Sequence, residues 1–177
     1  MRVILCAFDN ALENAWKRVA PDFLSDLEQQ GHSVAVLRGD ITTLTVTAVV
    51  SPANSYGYMR GGVDFAYTRR FGTGLERAVR AKIAESSRGL LPVGEALAVA
   101  TGDVAIPYLV SAPTMVTPQR LSGPEPVVAA SRAAVLCALA EGYDAVAFPG
   151  MGTGTGGLDA SVAARAMLQG IHEGLLQ

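Results

Sequence analysis

The chain has 177 residues, half of them hydrophobic, and a mean hydropathy of +0.30, which together predict one folded domain over residues 1–177 and exclude a disordered chain. The formal net charge is −2 and the only lysines are Lys17 and Lys82, so we expect no nucleic-acid partner. No apolar stretch approaches the ~20 residues of a membrane helix. We expect a cytoplasmic monomer without a membrane partner.

Short apolar runs alternate with longer helical patterns along the chain. We predict strands near residues 2–8, 33–38, 46–52, 94–100, 107–112 and 145–149. We predict helices near residues 10–19, 22–30, 64–87 with a break at Gly72–Gly74, 125–141 and 159–174. Because the strands are continuously apolar, helices should cover both faces of the sheet. The pattern predicts an α/β fold with three layers, an α/β/α sandwich.

A first glycine loop follows the buried run Ala48–Val50. The stretch Asn54–Asp64 reads Asn-Ser-Tyr-Gly-Tyr-Met-Arg-Gly-Gly-Val-Asp, so a carboxamide, a glycine pair and a carboxylate lie at the mouth of a strand. Adjacent glycines allow positive φ and leave backbone N–H groups uncovered by any Cβ. Such a loop lets a phosphate approach the backbone closely.

A second glycine loop, Gly150–Gly157, follows the apolar run Ala145–Phe148. Its glycines satisfy the dinucleotide fingerprint, but that fingerprint requires a further strand ending in an acid about 20 residues on, and the sequence offers none. A P-loop is excluded because no lysine follows the glycines. What remains is a second anion-binding loop, and two such loops predict a diphosphate held from both sides.

Three polar side chains near these loops have more than one interpretation. Asp40 fits an Asx-turn or a helix cap as well as a ligand contact. Asn54 can satisfy backbone groups at a strand end. Asp64 can cap the helix that we predict after Val63, and a cap leaves one carboxylate oxygen free. The residues alone leave these alternatives open.

Four motifs in this order resemble the macrodomains, a family that binds ADP-ribose. They are Gly39-Asp40-Ile41-Thr42, Ser51-Pro52-Ala53-Asn54, Gly61-Gly62-Val63-Asp64 and Phe148-Pro149-Gly150-Met151-Gly152-Thr153-Gly154. The spacing between Asn54 and the glycine pair is similar to that of the MacroD-type hydrolases. The resemblance extends from about Arg38 to the last helix, and it implies a central mixed sheet.

The resemblance implies an ADP-ribosylhydrolase that removes mono-ADP-ribose from acidic side chains of proteins, cleaving the ester at C1″ of the distal ribose without a metal or a cofactor. A reader that binds ADP-ribose without cleaving it and an O-acetyl-ADP-ribose deacetylase are the alternatives. Asn54 and Asp64 are the implied catalytic residues, the first at the distal ribose hydroxyls and the second at the attacking water. Asp40 is implied to accept a hydrogen bond from the adenine amine. The implied substrate-binding residues are Asp40, Ile41, Gly61, Gly62, Val63, Gly150, Met151, Gly152, Thr153, Gly154, Thr155 and Gly156.

The chain also departs from the family pattern. Family members usually carry an aromatic residue after Gly-Thr-Gly, whereas Thr155–Gly157 has no ring. Tyr56, Tyr58 or Met59 from the first glycine loop are the candidates to replace it. The strand near residues 107–112 also lacks the usual Val-Gly-Pro ending, so we expect a divergent branch.

Other chemistry has little support in the sequence. Cys6 and Cys137 lie in apolar patterns and should be inert buried thiols, and no Cys or His spacing predicts a metal site. Four arginines cluster in one helical region, and we expect them to form a solvated helix face: Arg69, Arg70, Arg77 and Arg80.

Overall fold

The fold is organised around one six-stranded sheet, and the computed structural model describes all residues from 1 to 177. The strands are β1 (Arg2–Ala7), β2 (Ser33–Arg38), β3 (Ala48–Ser51), β4 (Leu97–Ala100), β5 (Tyr108–Ser111) and β6 (Ala145–Phe148). Their order across the sheet is β2-β1-β6-β3-β5-β4. All neighbours are parallel except β4 and β5, which confirms the mixed sheet.

Helices connect the strands, close to where the sequence predicted them. They are α1 (Asn10–Val19), α2 (Pro21–Gln29), α3 (Gly62–Phe71), α4 (Gly74–Ala84), α5 (Glu125–Ala140) and α6 (Ala160–Leu175), with a 3₁₀ turn at Ile41–Thr43. The predicted break between α3 and α4 is present because Gly72 adopts φ +90°, which ends α3. None of these helices has the length and apolar character needed to cross a membrane.

Two apolar clusters lie on opposite faces of the sheet because successive side chains of a strand point to opposite sides. From β1, Val3 and Leu5 pack on one face with side chains of α1, α2, α5 and α6. Ile4 and Cys6 pack on the other face with side chains of α3 and α4. The resulting helix, sheet and helix layers confirm the predicted sandwich.

Two glycines let α6 pack closely on α5. A Cβ at Gly170 would lie 2.2 Å from the carbonyl oxygen of Val128, and one at Gly174 would lie 3.1 Å from that of Arg132. Larger residues would force the helices apart. The close contact fixes α6, which begins just after the second glycine loop and is capped by Asp159.

Candidate functional site

The predicted motifs meet at one edge of the sheet. Five strands run parallel, so their carboxyl ends share an edge, which is where ligands bind in open α/β sheets. Strand β2 leads to Asp40, β1 to Phe8, β6 to the second glycine loop and β3 to the first. The strand order places these features in that sequence along the edge.

The second glycine loop presents a run of free backbone donors. None of the N–H groups from Gly152 to Gly156 donates a hydrogen bond within the protein. The loop is closed by other contacts: Gly157 N–H donates to the Gly154 carbonyl and Leu158 N–H to the Gly152 carbonyl, both at 3.0 Å. Gly152 adopts φ +82°, a backbone conformation that favours glycine and that turns the chain into this closed loop. Successive free N–H groups in a turn form an anion-binding concavity.

The first glycine loop offers a similar run at the start of α3. The N–H groups from Arg60 to Asp64 donate to no acceptor in the protein. Gly61 is extended, with φ −148° and ψ 162°, and caps α3 without a side-chain hydrogen bond. The first N–H groups of a helix have no carbonyl acceptor within the helix, and the helix dipole adds partial positive charge there. This helix start therefore favours an anion.

Asp64 does not cap α3, and the sequence interpretation is wrong on this point. The helix begins at Gly62, so Asp64 is already helical, and its side chain is only 6% exposed. The Ser51 hydroxyl donates to Asp64 Oδ1 at 2.5 Å. Burial raises the pKa of Asp64 to about 7; the Ser51 hydrogen bond opposes that rise and the nearby Glu76 carboxylate adds to it.

The carboxamide of Asn54 forms its hydrogen bonds with the backbone of its own loop. Its Nδ2 donates to the Tyr58 carbonyl at 2.9 Å, and its Oδ1 accepts from the N–H groups of Tyr56 at 3.1 Å and Tyr58 at 3.4 Å. The residue is buried. The structure therefore shows the backbone-satisfying role of Asn54, and its contact with a distal ribose stays a prediction.

Asp40 caps the 3₁₀ turn at Ile41–Thr43, as one of the two interpretations expected. Its Oδ1 accepts from the Thr42 N–H at 2.9 Å and from the Thr42 hydroxyl at 2.7 Å. Its Oδ2 has no partner in the protein, and the residue is exposed, so a ligand can reach this oxygen. The side chain of Ile41 is buried in the core beside α3, which leaves only its backbone for a ligand.

Two methionines near the edge are core residues. Met151 is fully buried, its Sδ accepts from the Ser131 hydroxyl at 3.5 Å, and its N–H donates to the Met167 Sδ at 3.4 Å. The predicted substrate contact of Met151 is therefore wrong for its side chain, because an apolar side chain gains more from burial. Met59 is also buried, which excludes it as the replacement for the missing ring.

The space over the end of the second glycine loop is filled from a distant part of the chain. Leu121 N–H donates to the Gly156 carbonyl at 2.9 Å, and a Cβ at Gly157 would lie 3.1 Å from Arg120 Cζ. Residues 117–124 lie between β5 and α5 and are largely exposed, but their contact with the second glycine loop was missed. No local signal in the sequence reports it.

Phe8 is a second missed residue. It follows β1 directly and is 89% exposed. The register pairs Ala7 with Arg38, so Phe8 lies level with Gly39, one residue before Asp40. The predicted strand at residues 2–8 includes Phe8 as its last residue, although an aromatic residue immediately after a central strand is a usable signal of a ligand contact.

The four arginines of α3 and α4, Arg69, Arg70, Arg77 and Arg80, are exposed, which confirms the predicted solvated helix face, and two of them also contact other side chains. The guanidinium of Arg80 lies 4.2 Å from the Tyr58 ring centroid, and that of Arg60 lies 4.7 Å from it. Arg70 forms a 2.7 Å salt bridge with Asp103. Tyr58, one of the candidates to replace the missing ring, is therefore stacked against arginines.

Neither cysteine is a reactive thiol. Cys6 is buried and Cys137 half-buried, and burial raises the pKa of each thiol to about 11, so both are inert. No group of three or more His, Cys, Asp or Glu side chains is arranged to hold a metal ion.

An open groove of about 790 Å³ lies between α5 and α6 and contains none of the predicted site residues.

The sheet order and the two runs of free N–H groups at its carboxyl edge define an α/β/α protein with an edge suited to an anionic ligand. A family model described as the Macro domain matches residues 50–167. An uncharacterized protein of Aquifex aeolicus is 39% identical over 140 residues, which are 79% of this chain and 81% of the relative. The chain belongs to the macrodomain family.

Solved structures share the fold at low sequence identity. A variant of the Oceanobacillus iheyensis macrodomain with ADPR has a TM-score of 0.67 and 22% identity, covering 78% of this chain and 76% of that one. The macrodomain of Mycobacterium tuberculosis DarG has a TM-score of 0.65 and 23% identity, covering 76% and 87%. This low identity agrees with a divergent branch.

Proposed function

We propose that the chain binds ADP-ribose along the carboxyl edge of its sheet. The observation that carries the proposal is the pair of free N–H runs, Arg60–Asp64 and Gly152–Gly156, which follow the neighbouring strands β3 and β6. Two such concavities side by side match the two phosphates of a diphosphate. The similarity to a macrodomain structure with ADPR supports the same ligand.

The adenine lies at the β2 and β1 end of the edge. Asp40 Oδ2, which is free in the protein, accepts a hydrogen bond from the adenine amine. The exposed ring of Phe8 stacks on the base, an interaction that needs only an uncovered aromatic face. The diphosphate then follows at the glycine loops, and the distal ribose lies beyond them, near the start of α3.

The proposed reaction is hydrolysis of an ester between mono-ADP-ribose and an acidic side chain of a protein. A water attacks C1″ of the distal ribose, the bond from C1″ to the carboxylate oxygen breaks, and ADP-ribose and a free carboxyl group result. Asp64 accepts the proton of that water, since a pKa of about 7 suits a base at neutral pH. A phosphate oxygen of the substrate is the competing base. Holding the diphosphate at both loops fixes the ribose and lowers the barrier.

A non-catalytic reader of ADP-ribose is the second candidate function. It is favoured by the burial of Asp64 and by the use of the Asn54 carboxamide within its own loop. Both observations leave fewer polar groups free to contact a distal ribose. Proteins carrying mono-ADP-ribose are the proposed partners in either case.

Release of ADP-ribose from modified proteins separates the two candidates. The purified protein is incubated with proteins mono-ADP-ribosylated on Glu, Ser or Arg, and free ADP-ribose is measured. We expect release from Glu, and loss of most of it in Asp64→Asn, which still accepts the Ser51 hydrogen bond but has no basic oxygen. Retained turnover in Asp64→Asn assigns the base to the substrate phosphate. Binding without release from any substrate supports the reader.

A further inference from the structure

Arg120 brings an unpaired positive charge onto the second glycine loop. Its side chain is exposed and forms no salt bridge within the protein. A Cβ at Gly157 would lie 3.1 Å from both Cζ and Nη2 of Arg120 and 3.3 Å from its Nε. Three guanidinium atoms therefore lie against the loop, over a residue whose lack of a side chain makes room for them.

The backbone next to Arg120 is anchored to the same loop. Leu121 N–H donates to the Gly156 carbonyl at 2.9 Å. The Leu121 Cδ1 lies 3.0 Å from the Cβ position of Gly156 and 3.4 Å from that of Gly152. This contact holds Arg120 beside the loop without an acidic partner.

No carboxylate lies within 4.0 Å of the guanidinium nitrogens, the distance of a salt bridge. Asp159, two residues past Gly157, accepts from the Ser161 N–H at 2.8 Å and caps α6. Glu125, on the other side of Arg120 in the chain, folds back over Gly123. The charge of Arg120 is thus left for a group that the protein itself does not supply.

We propose that Arg120 is a side-chain ligand of the diphosphate that the second glycine loop receives. This inference rests on the proposed binding of ADP-ribose. The free N–H groups of the loop carry only partial charges, whereas a guanidinium adds a full charge and parallel donors that match phosphate oxygens. Gly154 and Thr155, which are exposed, leave the loop accessible beside the guanidinium.

The test compares a charge-removing variant with a matched control. Arg120→Met keeps most of the stem and removes the charge, and Arg120→Lys keeps the charge without the planar fork. Arg18→Met is the control, because Arg18 is exposed near the end of α1 and has no salt bridge. Dissociation constants for ADP-ribose, ADP and adenosine are measured by calorimetry at low and high salt.

We expect Arg120→Met to bind ADP-ribose and ADP roughly tenfold to a hundredfold more weakly, as loss of a charged hydrogen bond does. Its affinity should also depend less on salt. Adenosine binding should not change, Arg120→Lys should be intermediate, and Arg18→Met should equal the wild type.

Three results overturn the inference. Unchanged ADP-ribose affinity in Arg120→Met shows that the guanidinium is not a ligand. An equal loss for adenosine shows that Arg120 only shapes the loop. Loss of turnover on modified proteins with unchanged ADP and ADP-ribose affinity assigns Arg120 to the protein part of the substrate. If wild type binds no ADP-ribose, the proposed function fails first, and the two failures are therefore distinguishable.

Discussion

Ser51 and Asp64 form a buried hydrogen bond, with the hydroxyl donating to the carboxylate at 2.5 Å. The bond joins the end of β3 to the first turn of α3, so it fixes the carboxylate relative to the first glycine loop. It also lowers the pKa that burial raises. Ser51 therefore positions the proposed base and sets how much of it is ionised at neutral pH.

Removing this hydroxyl should shift the pH profile of turnover. In Ser51→Ala the pKa of Asp64 rises further, because the hydrogen bond that stabilises the charged form is lost. We expect less turnover at pH 7 and recovery at higher pH, measured as kcat/KM against pH. Ser111→Ala is the control, since Ser111 pairs with Ser51 across the sheet and its buried hydroxyl has no partner. An unshifted profile in Ser51→Ala would remove Asp64 from the role of base.

The raised pKa of Asp64 predicts how stability depends on pH. The folded-state pKa of about 7 exceeds the usual 3.8, so the folded protein binds this proton more tightly than the unfolded chain does. The stability that this group contributes is complete below about pH 4 and is lost as the pH rises through about 7.

Asp64→Asn does not titrate and should gain stability relative to wild type between pH 5 and pH 8. We expect a relative gain on the order of 1–4 kcal/mol in the free energy of unfolding by urea. A constant difference between the two proteins across this range would contradict the assigned burial of the carboxyl group.

The sequence predicted the elements better than the contacts between them. Continuous apolar runs such as Ala48–Val50 identify buried strands, and Gly72 marks the helix break, because both are local properties. The burial of Asp64 is not local. Moving the helix start by two residues turns a side chain by about 200°, from a capping position into the core. The packing of Arg120 on Gly157 joins distant residues and leaves no local pattern.

A negative charge in the second glycine loop should abolish binding without unfolding the protein. Gly154 is the suitable position, because nothing lies within 4 Å of its Cβ position and its φ is not positive. We expect Gly154→Glu to lose ADP-ribose affinity in calorimetry and to keep the wild-type melting temperature. Gly154→Ala adds the Cβ without the charge and should still bind. Binding by Gly154→Glu would show that this loop is only a turn.

Gly152 is the wrong position for that experiment, because a Cβ there would lie 2.6 Å from Val127 Cγ2 and φ is +82°. We expect Gly152→Glu to lower the melting temperature, since it combines overpacking with backbone strain.

Phe8→Ala should weaken the binding of adenine nucleotides and leave the fold intact. Stacking of a base on an aromatic ring contributes about 1–3 kcal/mol, and Phe8 is almost fully exposed. We expect ADP-ribose and AMP to lose affinity by roughly fivefold to a hundredfold in calorimetry. Ribose 5-phosphate, which has no base, is the control ligand. Equal affinities for AMP in variant and wild type would place the adenine elsewhere.

A melting experiment with ADP-ribose tests the central claim most directly. Ligand at ~100 times its dissociation constant adds about 2.7 kcal/mol of stability, which raises the melting temperature of a chain of this size by about 5–10 °C. AMP and ribose 5-phosphate should raise it far less, because neither contacts both glycine loops. We expect that order of shifts. No shift at millimolar ADP-ribose would contradict the proposed function.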